Sequence, residues 1–341
     1  MPPRRTGVLL INLGTPDACT TPAVRRYLRE FLMDPRVLDI NPVARWLLVN
    51  LIIAPFRSPK SAHAYQQVWT ERGSPLLTAG QDLSAAVQVA LGDGYDVELG
   101  MRYQNPSIEA ALQRLDPDTL DRLIVLPLFP QYSSAATGSA IQELFDVLGA
   151  RWNVPSVQVI SDFYDHPGFI QAQAAVAQEE LANFGAEKVL FSYHGLPERH
   201  VQKSWKPGFT ECSLKGPCPA MQPGNRYCYR AQCYATTRAL QTALGLDDDT
   251  VEVSFQSRLG RTPWIQPYTD EVMPKLAAQG VKRLAVMCPA FTADCLETLE
   301  EIGIRAREDW KAAGGESLLL LPCVNAAPDW VDAVAQMVRD A

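Results

Sequence analysis

The sequence predicts an α/β protein with two similar lobes, each a parallel β-sheet flanked by helices. Short apolar runs of strand length alternate with longer amphipathic segments along the whole chain. This alternation is typical of parallel sheets with helices on both faces. Strands are predicted at residues 8–13, 96–101, 122–129, 156–160, 188–192, 250–255, 283–287 and 317–321. Helices are predicted between them, for example at 108–115, 139–148, 168–184 and 236–244.

Two segments of the chain resemble each other in sequence. Residues 121–130 resemble residues 282–291, and each segment runs through an apolar strand into small or polar residues. Duplication of this kind predicts two Rossmann-like lobes that face each other across an active-site cleft. We place the N-terminal lobe at 1–150, including an apolar segment at 31–56, and the C-terminal lobe at 151–341. The alternative is that any two buried strands of an α/β protein look alike.

Composition and charge exclude several classes of function. The 341 residues are 47% hydrophobic and 20% charged, which is ordinary for a globular protein. A net charge of −7 gives no general attraction to nucleic acid. Neither a dinucleotide-binding glycine motif nor a P-loop occurs, so we expect no nucleotide cofactor. Eight cysteines without a signal-peptide pattern predict a cytoplasmic protein whose thiols are free or bind metal. The sequence carries no signal for an oligomeric state.

His194 follows one of the buried strands. The apolar run 189–191 leads into Ser192 and His194, and Gly195 and Pro197 stop the strand. The carboxyl ends of parallel strands are where open α/β sheets bind their ligands. Neutral imidazole is well suited to accept a proton near pH 7. The alternative is a buried histidine that is hydrogen-bonded within a loop.

A group of carboxylates follows a second buried strand, 284–287. On an α-helix, Asp294, Glu297 and Glu301 would share one face, with Glu300 beside them. Carboxylates suit a hydrated divalent metal or the transfer of protons. The alternative is a solvent-facing helix whose acids complement its dipole.

Two further segments carry large apolar side chains. After strand 250–255, Trp264 stands between prolines, where a rigid flat side chain could form a wall for a flat ligand. The alternative for Trp264 is a loop residue that covers the core. Residues 46–56 are apolar nearly all round if helical, and they form either core or an exposed lip. Sequence alone favours core.

Taken together, these segments resemble the ferrochelatase family. The matches run in order along nearly the whole chain, at residues 10–16, 73–76, 100–103, 126–132, 192–197, 255–264 and 291–299. The resemblance implies a chelatase-like fold with the macrocycle between the lobes. It also implies insertion of Fe²⁺ into protoporphyrin IX to form protohaem, the last step of haem biosynthesis.

The resemblance also implies residue roles. His194 and Glu297 would be the essential pair, with His194 accepting pyrrole protons. Asp294 and Glu301 would extend a path for iron or protons. The porphyrin wall would comprise Leu13, Arg102, Tyr103, Ser257 and Trp264. In many relatives a histidine stands at the position of Cys295, so that metal ligand is not expected here.

Alternatives remain for the substrate and for the class. Residues 46–56 match the family's active-site lips, and this resemblance implies a peripheral contact with the inner membrane. Coproporphyrin III is the alternative ring, although an apolar lip favours the less charged protoporphyrin. A related chelatase for a more carboxylated, reduced tetrapyrrole would need more Arg and Lys near the cleft. A tetrapyrrole carrier without catalysis is the alternative from another class.

Four cysteines lie close together in the chain. Cys212, Cys218, Cys228 and Cys233 have the spacing C-x5-C-x9-C-x4-C in a turn-rich insert, 207–233. Four thiolates suit an iron–sulfur cluster or a structural zinc ion. The alternative is four unligated thiols, which Cys233 fits best because a helix is predicted to begin there. Some bacterial ferrochelatases carry four internal cysteines, and this resemblance favours a [2Fe-2S] cluster.

Overall fold

The computed structural model describes residues 5–210, 212, 214, 216, 218–260 and 262–341. The chain forms two compact units. The first unit contains residues up to Phe129, Ser134–Asp162 and Val331–Ala341. The second contains Pro130–Ser133 and Phe163–Trp330. The chain thus passes between the units at several points, and the segment after residue 150 still belongs to the first unit.

Each unit is built on a four-stranded parallel sheet. The first has the order β2-β1-β3-β4 and the second the order β6-β5-β7-β8. The strands are β1 (Thr6–Gly14), β2 (Tyr95–Tyr103), β3 (Arg122–Pro127), β4 (Ser156–Val159), β5 (Lys188–His194), β6 (Val251–Gln256), β7 (Arg283–Met287) and β8 (Ser317–Leu320). All eight predicted strands are present, which confirms the α/β fold class.

Helices connect the strands. The α-helices are α1 (Thr21–Met33), α2 (Pro42–Leu47), α3 (Ala54–Val68), α4 (Pro75–Leu91), α5 (Ile108–Leu115), α6 (Ser139–Gly149), α7 (Pro167–Phe184), α8 (Glu198–Lys203), α9 (Tyr229–Leu244), α10 (Thr269–Ala278), α11 (Arg307–Ala312) and α12 (Pro328–Asp340). π-Helices form at Leu48–Ile53, Ser134–Gly138 and Glu297–Ala306, and a 3₁₀ turn at Pro117–Thr119.

The two sheets have the same topology. In each, the first strand of the unit lies between the second and the third, and the fourth lies at the edge. The segments that resemble each other in sequence contain β3 and β7, which are the third strands of their sheets. A π-helix follows each of these strands. The predicted duplication is therefore confirmed as a repeat of topology.

The inner strands are buried because helices cover parallel sheets on both faces. Leu9 and Ile11 of β1 and Leu123 and Val125 of β3 pack with α5 and α6 in the first unit. In the second unit, residues of β5, β7 and α10 pack around Trp310, whose indole Nε1 donates to the Ser317 carbonyl at 3.0 Å. Burial on both faces explains why these strands are continuous apolar runs in the sequence.

The apolar segment 46–56 is helical, but it is not core. Most of its large side chains are exposed, as are those just before it: Val43, Trp46, Leu47, Leu51, Ile52 and Phe56. Val49 and Ala54 are buried. The sequence-based preference for core is therefore wrong, because an all-apolar helix on a surface buries a single stripe. None of the described helices is long and apolar enough to cross a membrane.

Candidate active site

β5 delivers His194 to the carboxyl edge of the second sheet, as predicted. The half-buried imidazole places Nδ1 2.6 Å from the Gly195 carbonyl oxygen. A carbonyl only accepts hydrogen bonds, so Nδ1 carries the hydrogen and Nε2 is left with a lone pair. The Tyr229 hydroxyl donates to the His194 carbonyl at 2.9 Å and fixes the backbone there. His194 therefore presents a nitrogen that can accept a proton.

The end of the neighbouring strand, β6, supplies Gln256, which is buried. Its backbone carbonyl and both polar atoms of its side chain are hydrogen-bonded. Its backbone carbonyl accepts from Gly195 N at 2.8 Å. Its amide Nε2 donates to the Glu297 carbonyl at 2.9 Å, and its Oε1 accepts from the Ser192 hydroxyl at 2.7 Å. A Cβ on Gly195 would lie 2.8 Å from the Gln256 carbonyl oxygen, so only glycine fits there. Gln256 thereby joins the end of β5 to the start of the helix that carries the acids.

That helix is a π-helix and not the α-helix that the acid spacing suggested. It spans Glu297–Ala306, and its i→i+5 hydrogen bonds widen each turn. Glu297 and Glu301 are half-buried on it. Burial raises the pKa of Glu301, hydrogen bonds from Ser257 lower it, and His194 and Glu297 act on it in opposite directions. His194 and Glu297 thus both lie near enough to Glu301 for their charges to affect its pKa.

The other two acids are engaged elsewhere. The Asp294 carboxylate accepts from Asn325 Nδ2 at 2.7 Å and from Cys323 N at 3.3 Å. Glu300 is buried, and Arg305 Nε lies 2.8 and 3.0 Å from its two oxygens. Asp294 therefore anchors the loop after β8, and Glu300 neutralises Arg305. The role predicted for Asp294 in a metal or proton path remains a prediction.

Ser257 and Trp264 lie in the loop after β6. Ser257 has φ +66° and donates from both N–H and Oγ to Glu301, at 2.9 and 2.7 Å. Trp264 is half-buried, with its indole Nε1 bonded to the Leu259 carbonyl at 2.9 Å. Its ring lies over Gly195, 3.2 Å from where a Cβ would stand. The tryptophan predicted as a wall is thus fixed next to the residue that follows His194.

The remaining predicted wall residues lie in the first unit, at the ends of β1 and β2. Leu13 is half-buried. Arg102 pairs with Asp34 at 3.0 Å, and the fully buried Tyr103 donates its hydroxyl to the same carboxylate at 2.9 Å. Burial acts to raise the pKa of Asp34, but Ser139, the Arg36 N–H, Tyr103 and Arg102 outweigh it, and the pKa is lowered.

Sequence analysis missed Asp34 and the part played by Gln256. Asp34 lies outside the segments that carry the family resemblance, and its bonds to Arg102 and Tyr103 join residues that are far apart in the sequence. Gln256 gave a signal as a polar residue at a strand end, although nothing in the sequence indicated which groups it would bond.

Each cysteine of the insert lies near enough to at least one of the others for the charges of the two thiols to affect each other. Cys212 and Cys218 are half-buried, and Cys228 and Cys233 are buried. Burial is the main cause that raises the pKa of Cys218, to about 11, and Cys228 and Cys212 raise it further. Burial also raises the pKa values of Cys228 and Cys233. Helix α9 begins at Tyr229, so Cys233 lies inside it and not at its start.

The geometry of the thiols does not yet form a metal site. Among the described residues, no group of three or more His, Cys, Asp or Glu side chains is arranged to hold a metal ion. Residues 211, 213, 215 and 217 lie outside the described residues. They include both neighbours of Cys212 and the residue before Cys218.

Comparison with known proteins gives a consistent family. The ferrochelatase family model matches residues 5–341. A ferrochelatase from Legionella pneumophila (strain Lens) is 51% identical, over 98% of this chain and 99% of that protein. A ferrochelatase from Coxiella burnetii (strain CbuK_Q154) is 49% identical, over 98% and 93%.

Solved chelatase structures share the fold. The sirohydrochlorin chelatase SirB from Bacillus subtilis subspecies spizizenii, in complex with cobalt, has a TM-score of 0.55 at 10% identity and covers 98% of this chain and 94% of that one. SirB from Bacillus subtilis with Fe³⁺ has a TM-score of 0.53 at 12% identity, with coverage of 98% and 95%. At this identity the likeness shows the fold alone.

We expect Gln256→Leu to destabilise the second unit by about 2 kcal/mol, because the Glu297 carbonyl and the Ser192 hydroxyl each lose a partner. Denaturant unfolding measures this loss. Gln279→Leu is the matched control, since Gln279 is exposed at the end of α10. Equal stability of the two variants would contradict the structural role of Gln256.

Proposed function

The chain belongs to the ferrochelatase family and is a metal chelatase of haem biosynthesis, and we propose that it inserts Fe²⁺ into protoporphyrin IX. One observation supports the assignment of roles. A histidine with an available ring nitrogen, Glu297 and a carboxyl of raised pKa, Glu301, meet at the carboxyl edge of one sheet. Because ferrochelatases are enzymes, the family assignment favours catalysis over the alternative of a non-catalytic tetrapyrrole carrier.

The reaction requires that two pyrrole protons leave the ring as the metal enters. His194 accepts such a proton at Nε2, because its Nδ1 hydrogen is bonded to the Gly195 carbonyl. The raised pKa of Glu301 suits it to take up a proton as well. Glu297 and, when it is ionised, Glu301 also offer carboxylate oxygens on the π-helix, and these are suitable ligands for the arriving ferrous ion. Asp294 contributes by holding the loop behind these residues.

The choice of ring rests on charge. Protoporphyrin carries fewer carboxylates than coproporphyrin III or sirohydrochlorin. The exposed apolar side chains of α2, the π-helix Leu48–Ile53 and α3 favour the less charged ring. Coproporphyrin III remains the second candidate.

We expect His194→Ala to slow metal insertion by roughly 10²- to 10⁴-fold, the usual effect of losing a general base. The assay follows the fluorescence of protoporphyrin as zinc or ferrous iron enters. His63→Ala is the control, because His63 is exposed on α3.

Three results would argue against these assignments. Full activity of His194→Ala would remove the proton acceptor. Faster turnover of coproporphyrin III would move the assignment to that ring, and turnover of sirohydrochlorin alone would replace the porphyrin reaction.

We also propose that the cysteine insert holds a [2Fe-2S] cluster. The donor chemistry suits it: besides burial, Cys228 and Cys212 raise the pKa of the Cys218 thiol, and Cys228 and Cys218 raise that of the Cys233 thiol. The arrangement in the described residues does not fit a bound metal, so ligation requires the insert to rearrange. The cluster takes no part in metal insertion, which involves no electron transfer.

This proposal predicts a brown protein whose visible absorbance is lost in Cys218→Ser. Cys19→Ser is the control, because Cys19 belongs to the first unit. A colourless, iron-free protein purified without oxygen would contradict the cluster. Stoichiometric zinc in that protein would assign the thiols to a structural zinc ion.

We further propose a cytoplasmic protein that docks peripherally on the inner membrane through its exposed apolar helices. Trp46, Leu51, Ile52 and Phe56 are each more than half exposed. Arg57 and Lys60 follow them on the surface of α3 and can contact anionic headgroups.

Trp46→Ser should weaken binding to vesicles of phosphatidylethanolamine and phosphatidylglycerol several-fold, because an exposed indole contributes buried area at the membrane interface. Co-sedimentation measures the bound fraction. Trp152→Ser is the matched control, since Trp152 is 99% exposed but stands outside the apolar helices. Equal losses in the two variants would show that the apolar helices are not the docking surface.

A further inference from the structure

Ser257 commits both of its hydrogen-bond donors to one carboxylate. Its backbone N–H reaches Glu301 Oε1 at 2.9 Å, and its hydroxyl reaches Oε2 at 2.7 Å. Each oxygen of Glu301 therefore has its own donor from the same residue. Two bonds of this kind fix the plane of the carboxylate as well as its position.

The backbone at Ser257 is held in a conformation that serine rarely adopts. Its φ of +66° lies in the left-handed region, where a side chain other than glycine is strained. This turn comes directly after Gln256, whose side chain holds the Glu297 carbonyl. Gln256 and Ser257, which are consecutive in the chain, thus hold the backbone carbonyl of Glu297 and the carboxylate of Glu301. The unusual φ of Ser257 accompanies its two hydrogen bonds to Glu301.

Arg305 also lies near Glu301, but it holds the carboxylate less closely than Ser257 does. Arg305 Nη2 lies 3.9 Å from Oε2, and the arginine side chain is 55% exposed. Arg305 also bonds both oxygens of Glu300. Ser257 therefore makes the short contacts that set where the Glu301 carboxylate lies.

We propose that Ser257 is a positioning residue that holds the Glu301 carboxylate for the metal ion, and that it is not a contact for the porphyrin. A serine hydroxyl has one hydrogen to donate. While that hydrogen is bonded to Glu301, it cannot be donated to a carboxylate of the ring. The resemblance to the family implies a porphyrin-wall role for Ser257, whereas its bonds in this chain assign it to the metal side. The inference rests on the proposed role of Glu301.

The test compares Michaelis constants for the two substrates. Ser257→Ala should raise KM for the metal ion about tenfold, the size expected for a lost hydrogen bond to a charged group, and leave KM for protoporphyrin unchanged. Zinc insertion at varied zinc and varied porphyrin gives both constants. Thr262→Ala, which removes an exposed hydroxyl from the same loop, should leave both unchanged.

A second variant separates the hydroxyl from the backbone. Ser257→Gly also removes the hydroxyl, but it relieves the strain at φ +66° and keeps the N–H. We expect it to raise KM for the metal as Ser257→Ala does. Normal kinetics in Ser257→Gly would show that strain alone matters and would overturn the proposal. A raised KM for protoporphyrin in either variant would overturn it too, in favour of a ring contact.

An unfolding cycle needs no substrate and so stands apart from the proposed function. The effects of Ser257→Ala and Glu301→Gln on the free energy of unfolding should be non-additive when the two changes are combined. Additive effects would show that the contact does not hold the Glu301 carboxylate, and they would overturn the proposal even if the enzyme is active. If the wild-type protein inserts no metal but the cycle shows coupling, the proposed function fails while the contact stands.

Discussion

The second unit depends on the buried amide of Gln256. Its backbone carbonyl holds Gly195, its side-chain oxygen accepts from Ser192, and its amide nitrogen donates to the carbonyl of Glu297. These bonds join β5 and β6 to the π-helix that begins at Glu297. A buried amide cannot lose one partner without leaving polar groups unpaired, so the three elements keep one relative arrangement. The strand that carries His194 and the helix that carries Glu297 are therefore both tied to Gln256.

The repeated topology explains where the chemistry lies. The third strand of each sheet leads into a π-helix, at Ser134–Gly138 in the first unit and at Glu297–Ala306 in the second. The π-helix Ser134–Gly138 carries small residues, whereas the π-helix Glu297–Ala306 carries a row of acids. The same architecture thus carries different side chains in the two units, and only the π-helix of the second unit presents a row of acids.

The fold could be predicted because burial on both faces turns the inner strands of a parallel sheet into apolar runs. Strand-length apolar stretches that alternate with amphipathic segments predict all eight strands. The same reasoning brought His194 and Glu297 to one sheet edge. It failed at the π-helix, because acid spacing does not show whether a turn is widened by one residue. It also failed at residues 46–56, since hydrophobicity does not show whether another element covers a helix. The partners of Asp294 and Ser257 follow from long-range contacts that local sequence does not encode.

The acids near His194 differ in what they can contribute, although their sequence spacing makes them look alike. Asp294 and Glu300 already have close partners in Asn325 and Arg305. Glu301 is also bonded, but its burial outweighs those bonds and its pKa is raised. A carboxyl that is held in place and has a raised pKa can exchange a proton near neutral pH. A carboxyl beside an arginine is stabilised in its ionised form and takes up a proton less readily. Under the proposed function, Glu301 is therefore the acid of this group that can both bind the metal ion and exchange a proton with His194, while Asp294 and Glu300 support the loop and the helix around it.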